Sequence, residues 1–267
     1  MKLFNPVIKW SGSKRSQAQQ IASYLPEFDT YFEPFVGGGS VLYAVAPEKA
    51  ICGDICTPLI ELWQIIKNNP ALLCEQYRKF WNELQADHMT YYRYRAHFNE
   101  TKSPIDLLCL SRTCVNGLIR FNSNGEFNNS LHYTRKGISP DKLDTIIYDW
   151  SQKIQNATFV NTDYRESTAS AKAGDFIYLD PPYFNTKGRY YGKINFEEFY
   201  IYLENLNQKG VKFALSFDGA CGDKVYDTSL PKELYKRKVS LSSGKSTFKK
   251  VIDNISEEVF ESLYLNW

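Results

Sequence analysis

Asp180, Pro181, Pro182 and Tyr183 follow an apolar run, Phe176-Ile177-Tyr178-Leu179, of the kind that forms a buried strand. Ligand sites of open α/β sheets lie beyond the carboxyl ends of their strands, where this tetrapeptide falls. Two prolines fix the backbone and remove N–H donors, leaving bare carbonyls beside a carboxylate. Two acceptors and an aromatic face suit an amino group on a planar ring, such as N6 of adenine. In such a site Asp180 would accept one N–H and the Pro181 carbonyl the other. Together they would draw the nitrogen lone pair out of conjugation and aim it at a sulfonium methyl, and Tyr183 would stack on the flipped base. Four such residues also make an ordinary strand-to-loop turn. The strand before them and a glycine turn upstream favour the chemical reading.

That turn is Glu33-Pro34-Phe35-Val36-Gly37-Gly38-Gly39-Ser40. Glycines between a strand and a helix let the backbone approach a ligand closely. Asp54, at the end of the next strand, suits a carboxylate on ribose hydroxyls. The spacing half-fits a nicotinamide-binding turn, but Leu42 stands where the third glycine of GxGxxG belongs, which weakens a pyrophosphate reading. A third segment, Lys9-Trp10-Ser11-Gly12-Ser13-Lys14, sets an aromatic and two lysines around a glycine. By itself it is equally a flexible arm with a buried Trp.

The elements that must position these residues are legible in outline. A helix is predicted over about Ser16–Leu25, a strand ending near Glu33, a helix through Val41–Ala46 and a short strand at 50–52: a β-turn-α-β opening of a doubly wound sheet. From Thr57 to Trp150 the periodicity turns helical, with Leu59, Leu62, Trp63 and Ile66, then Tyr77, Phe80, Trp81 and Leu84. Within that block, Arg120–Gly137 is rich in Asn, Ser and Gly and reads as a structured loop or hairpin. Strand-like runs return at Ala157–Val160, Asp175–Leu179 and Lys212–Ser216, with Glu261–Trp267 as a closing edge strand. The prediction is an α/β catalytic domain in two pieces, 1–56 and 156–267, split by an inserted, mainly helical domain at 57–155.

Composition narrows the classes. With 267 residues and 43% hydrophobic residues, the chain can bury a sizeable core. Aromatic content is 15%, enough to supply rings for stacking as well as packing. A net charge of +2 excludes a polycation, yet two stretches carry bases and no acid. Phe184–Phe196 contains Lys187, Arg189 and Lys193. Leu234–Ile252 contains Lys236, Arg237, Lys238, Lys245, Lys249 and Lys250. Both suit a phosphate-facing surface. Six Cys without a CxxC pair, and only three His, argue against a metal site and for reduced thiols. The N-terminus lacks the apolar stretch of a signal peptide, and no apolar run spans a membrane, so a cytoplasmic protein is expected.

Together KWSGSK at 9–14, EPFVGGGS at 33–40, GDI at 53–55, NTDY at 161–164 and DPPY at 180–183 resemble the Dam-like, D12-class adenine-N6 DNA methyltransferases with the alpha order of motifs. The resemblance covers nearly the whole chain. It implies a Rossmann-like sheet that binds S-adenosylmethionine (AdoMet), with an inserted target-recognition domain. It implies that Trp10, Lys14, Phe35, Gly37, Gly39, Asp54, Asp163 and Tyr164 hold AdoMet, and that the DPPY residues carry catalysis without a metal. It places Arg112, Asn116, Arg120 and Asn122 at the DNA, with Arg135 from the stretch that follows. Val115 stands where GATC-modifying members commonly have an aromatic wedge, and Asn129–Lys136 replaces their Pro-Phe-Gly stretch, so GATC, CATG and other short palindromes all remain open. Double-stranded DNA is the implied partner of a monomer. The enzyme would be the modification half of a restriction system, paired with an endonuclease, or alternatively a solitary regulator. Rival readings are methylation of an RNA adenine or a glutamine amide, a non-catalytic AdoMet-sensing regulator, and a nicotinamide oxidoreductase.

Overall fold

Strand β1 (Tyr31–Glu33) is the pivot of the sheet in the computed structural model, which describes residues 4–182, 194–221, 224–226, 230–245 and 258–267. Parallel to it run β2 (Ala50–Gly53) on one side and β4 (Phe176–Leu179) on the other. Beyond them lie β3 (Ala157–Val160) and β5 (Lys212–Cys221), again parallel. β8 (Glu258–Leu265) and β7 (Arg237–Lys245) add antiparallel, giving the order β3-β2-β1-β4-β5-β8-β7, and β6 (Lys224–Tyr226) pairs with β5. The fold is a mixed α/β sheet, mostly parallel. Because β2 and β3 leave β1 on one side and β4 and β5 on the other, the chain order reverses between β1 and β4. In doubly wound sheets that reversal opens a crevice at the carboxyl ends of the strands.

Residue types explain why these strands sit at the centre. Every residue of β1 and β4 is buried, as apolar runs covered on both faces must be. Alternate side chains enter two different cores. Tyr31, Phe176 and Tyr178 join the larger core with the helical block. Phe32, Ile177 and Leu179 join a second with Tyr164 and helix α9 (Phe196–Gln208), through Phe199, Tyr202 and Leu203.

Five helices intervene between β2 and β3: α3 (Thr57–Asn68), α4 (Pro70–Ala86), α5 (Met89–Thr101), α6 (Pro104–Thr113) and α7 (Pro140–Lys153). All but α5 have proline in the first turn, where a missing N–H costs nothing. α3 and α7 clamp the block to the sheet. Trp63 of α3 stacks on Phe159 of β3 at 5.9 Å and tilts against Trp150 of α7 at 5.1 Å. Between α6 and α7 the chain forms a 3-10 turn at Val115–Gly117 and a short hairpin closed by an antiparallel bridge from Phe121 to Phe127.

One expectation needs correcting. The C-terminal strand was expected to close an edge, but β8 lies inside the sheet between β5 and β7. The outer strand is β7, whose polar sequence hides its strand character and whose start carries Lys236, Arg237 and Lys238 exposed. Charge on an edge discourages pairing with another chain. Among the described residues, no helix is long and apolar enough to cross a membrane. Of the two basic stretches, Lys187, Arg189, Lys193, Lys249 and Lys250 lie outside the described residues.

Candidate active site

At the β1/β4 reversal a cavity of about 250 Å³ joins residues from distant parts of the chain. Trp10 to Lys14, the turn from Glu33 to Val41, Asp54, Asp163, Tyr164, Asp180, Pro181 and Pro182 all line it. Every residue expected at the cofactor, and three of the four expected at the reaction, therefore share one crevice. Tyr183 lies outside the described residues.

The glycine turn is built around tryptophans. Gly37 adopts φ +45°, and a Cβ there would sit 2.8 Å from Cδ1 of Trp10. Gly39 adopts φ +64° as the residue before helix α2 (Ser40–Val45), and a Cβ there would press on Trp63 and Trp150. Both positions thus need glycine for conformation and for space. Trp63 Nε1 donates to the Gly37 carbonyl at 3.0 Å, and Asp54 accepts from the Gly37 N–H at 3.2 Å and the Cys56 N–H at 2.9 Å. Burial raises the Asp54 carboxyl to about 6, against the pull of those N–H groups.

Phe35 and Tyr164 stack at 5.5 Å and form an aromatic wall. Asp163 caps the short helix α8 (Tyr164–Ser167), accepting from the N–H groups of Arg165 and Glu166. Its other oxygen takes the Arg165 guanidinium, which also reaches Glu198 of α9 at 3.0 Å.

Asp180 follows β4 directly. Lys14 Nζ donates to both of its oxygens, at 2.8 and 3.0 Å, and to the Gly12 carbonyl at 3.1 Å. The lysine side chain is only 4% exposed. Burial raises the Asp180 carboxyl to about 6, Lys14 pulls it down, and Glu261 pushes it up. Beneath it Glu33 is buried and accepts from Tyr31 Oη at 2.7 Å. Burial raises Glu33 to about 8, so it is largely protonated at neutral pH. Lys14 was expected to hold the cofactor; here its ammonium holds the carboxylate of the DPPY stretch.

A family model of the D12 class N6 adenine-specific DNA methyltransferase matches residues 10–249, nearly all of the sequence just described. The chain belongs to this family. A DNA adenine methylase from Serratia marcescens is 35% identical over 187 residues, covering 68% of each chain. One from Salmonella typhimurium is 29% identical over 269 residues, covering 94% of each. Among solved structures, the rRNA methyltransferase aviRa from Streptomyces viridochromogenes aligns over 97% of this chain and 89% of that one, with TM-score 0.41 and 11% identity.

In this D12 methyltransferase the residues expected at DNA divide into two sets. Asn116, Arg120 and Arg135 are exposed on the segment between α6 and α7. Asn116 holds the left-handed φ +57° that Asn tolerates. Arg112, by contrast, is buried. Its Nε donates to the Val7 carbonyl at 2.7 Å and its Nη2 to the Pro6 carbonyl, so two of its donors are taken by the chain's own backbone. The expectation that Arg112 reads a base is corrected: it pins the N-terminal segment to α6. Burial lowers it to about 10, still a cation at neutral pH. Asn122 also has local duties, accepting from the N–H groups of Asn124 and Glu126 and donating to the Glu126 carboxylate.

Sequence reasoning assigned no role to Lys9, Glu33, Arg165 or Glu261. Lys9 lies across Gly117, close enough that a Cβ there would collide with it. Burial, then Arg112 and Arg135, lower its pKa. Its place in the KWSGSK segment was the available signal. Glu33 opens the glycine-turn motif, so its position was in view. Arg165 stands two residues after Asp163, which was the available signal, whereas Glu261 meets Lys14 from the other end of the chain and had none.

Proposed function

We propose that this methyltransferase transfers the methyl group of AdoMet to N6 of an adenine turned out of a short duplex motif. One observation carries the reading: the half-buried carboxylate of Asp180 and Pro181 stand in the same crevice as a tryptophan-packed glycine turn. The donor set fits AdoMet. Asp54 suits ribose hydroxyls, Phe35 and Tyr164 suit the flat face of a purine, and Gly37 and Gly39 bring backbone close without side-chain bulk. When bound, AdoMet supplies a methyl group activated by its positive sulfur.

The protein's own part is positional. Asp180, ionised at neutral pH through Lys14, accepts one N6–H, and Pro181 accepts the other. Tyr183 adds a stacking face to the displaced base. Fixing the nitrogen lone pair in line for direct displacement converts a bimolecular encounter into an oriented one. The proton then leaves to water, and neither a metal nor a covalent enzyme intermediate takes part. Residues 1–56 and 156–267 form the catalytic domain, and 57–155 form the insert that reads the duplex, with Asn116, Arg120, Arg135 and Asn122 near the groove. α3 and α7 are the struts through which that insert rides on the catalytic core. Double-stranded DNA is bound by a monomer in the cytoplasm. The departures at Val115 and 129–136 support a recognition site of the chain's own, which suits the modification half of a restriction system paired with its endonuclease.

The test is tritium transfer from labelled AdoMet into unmethylated genomic DNA, with nucleoside analysis and modification-sensitive long-read sequencing. Label in N6-methyladenine at one short motif supports the reading and identifies the site. Bound AdoMet with no label in DNA would move the substrate to RNA or protein, or leave only a binding role.

A further inference from the structure

Lys14 poses a difficulty for the reaction just proposed. Its ammonium covers both oxygens of Asp180, where the adenine amino group must donate. A lysine fixed there takes one lone pair on each oxygen and competes with the substrate for the same acceptor face; a lysine driven away without a destination would leave a buried charge uncompensated. The structure supplies a destination. Glu261 of β8 places Oε2 3.6 Å from Nζ on Lys14, and its side chain is 24% exposed. Among the described residues this buried oxygen has no hydrogen-bond partner. A carboxylate oxygen at this depth normally has a donor. A small movement of Nζ exchanges one carboxylate for the other without leaving the ion cluster.

We propose that Glu261 is a positioning residue that receives the Lys14 ammonium when a substrate amino group claims Asp180. The empty enzyme thus keeps Asp180 neutralised by an internal ammonium. The base displaces this placeholder at little electrostatic cost, because Lys14 passes between two carboxylates already in place. Among the described residues, the charged groups that bear on Asp180 are Lys14 of the N-terminal segment, Glu33 of β1 and Glu261 of β8. This inference rests on the assignment of Asp180 to the adenine amino group. Absence of label in N6-methyladenine with the wild-type enzyme would sink that assignment, whereas the variants below bear on Glu261 alone.

The measurement is single-turnover methylation of the duplex motif by the full chain, with AdoMet affinity measured separately by calorimetry. Glu261→Gln keeps the shape and removes the charge. It is expected to slow transfer about tenfold while leaving AdoMet affinity within about twofold. Its acid limb should move to lower pH, because one of the charges that raises Asp180 is gone. Glu261→Asp should recover most of the rate. Lys14→Arg provides a second approach that leaves residue 261 untouched: a planar fork grips Asp180 with two parallel bonds and should slow transfer more than it weakens AdoMet binding. Wild-type rates in Glu261→Gln or in Lys14→Arg would overturn the proposal. So would equal losses in Glu261→Gln and Glu261→Asp accompanied by lost AdoMet affinity, the mark of a disturbed strand.

Discussion

The crevice at the strand ends and the segment between α6 and α7 use polar residues in opposite ways. In the crevice, Asp54, Asp163 and Asp180 are each held by backbone N–H groups or a cation, and the glycines between them are wedged against tryptophans. Between α6 and α7, Asn116, Arg120 and Arg135 stand exposed on turns shaped by local hydrogen bonds, beside exposed Val115 and Leu118. The crevice residues are held in place by the fold itself, which is what the proposed transfer reaction requires. Among the described residues no hydrogen bond engages the side chain of Asn116, Arg120 or Arg135, which is what the proposed reading surface requires.

Removing the central acceptor tests that contrast hardest. Asp180→Ala is expected to lower methyl transfer by roughly a hundredfold to a thousandfold, as removal of a preorganised polar group commonly does. AdoMet affinity by calorimetry should change little. Turnover near wild type would place the reaction elsewhere.

Arg112 and Arg120 sharpen the contrast as a pair. Arg112→Ala strips two backbone carbonyls of a buried donor and is expected to cost about 2–4 kcal/mol of stability, read from denaturant unfolding. Arg120→Ala should leave stability within about 0.5 kcal/mol. It should instead cost about 1–3 kcal/mol of discrimination at one base pair, read by methylation of single-substituted duplexes. If Arg120→Ala unfolds the protein and Arg112→Ala does not, the two regions have been assigned the wrong way round.

Acidity separates the regions more gently. Asp180 must be ionised to accept an amino proton and is raised to about 6, so activity should fall as pH drops through that value. Stability should move the other way. Glu33 at about 8, and Asp54 and Asp180 at about 6, all lie above their ordinary values of 4.5 and 3.8. Between those limits the folded chain binds more protons than the unfolded one, so stability falls as pH rises. Each group contributes at most about 1.4 kcal/mol per pH unit. Melting of the unliganded protein from pH 5 to pH 8 should show this slope, and Glu33→Gln should flatten its upper part.

By itself the sequence determined which motifs meet at the crevice, because that information is local. An apolar run followed by Asp-Pro-Pro, a glycine turn between a strand and a helix, and an acid after the next strand are all written within a few residues. Backbone geometry fixes what each can do. Burial of alternate side chains on both sheet faces was likewise implicit in the runs at 31–33 and 176–179. What only the tertiary structure decided is where long side chains end. An arginine beside the recognition stretch reads equally well as a base contact or a backbone clamp, and packing against Pro6 and Val7 made Arg112 the clamp. Lys14 and Asp180 lie 166 positions apart, and β8 entered the sheet between β5 and β7. Strand order and ion pairing are settled by competition among distant partners for the same buried space, and no local spacing records the outcome.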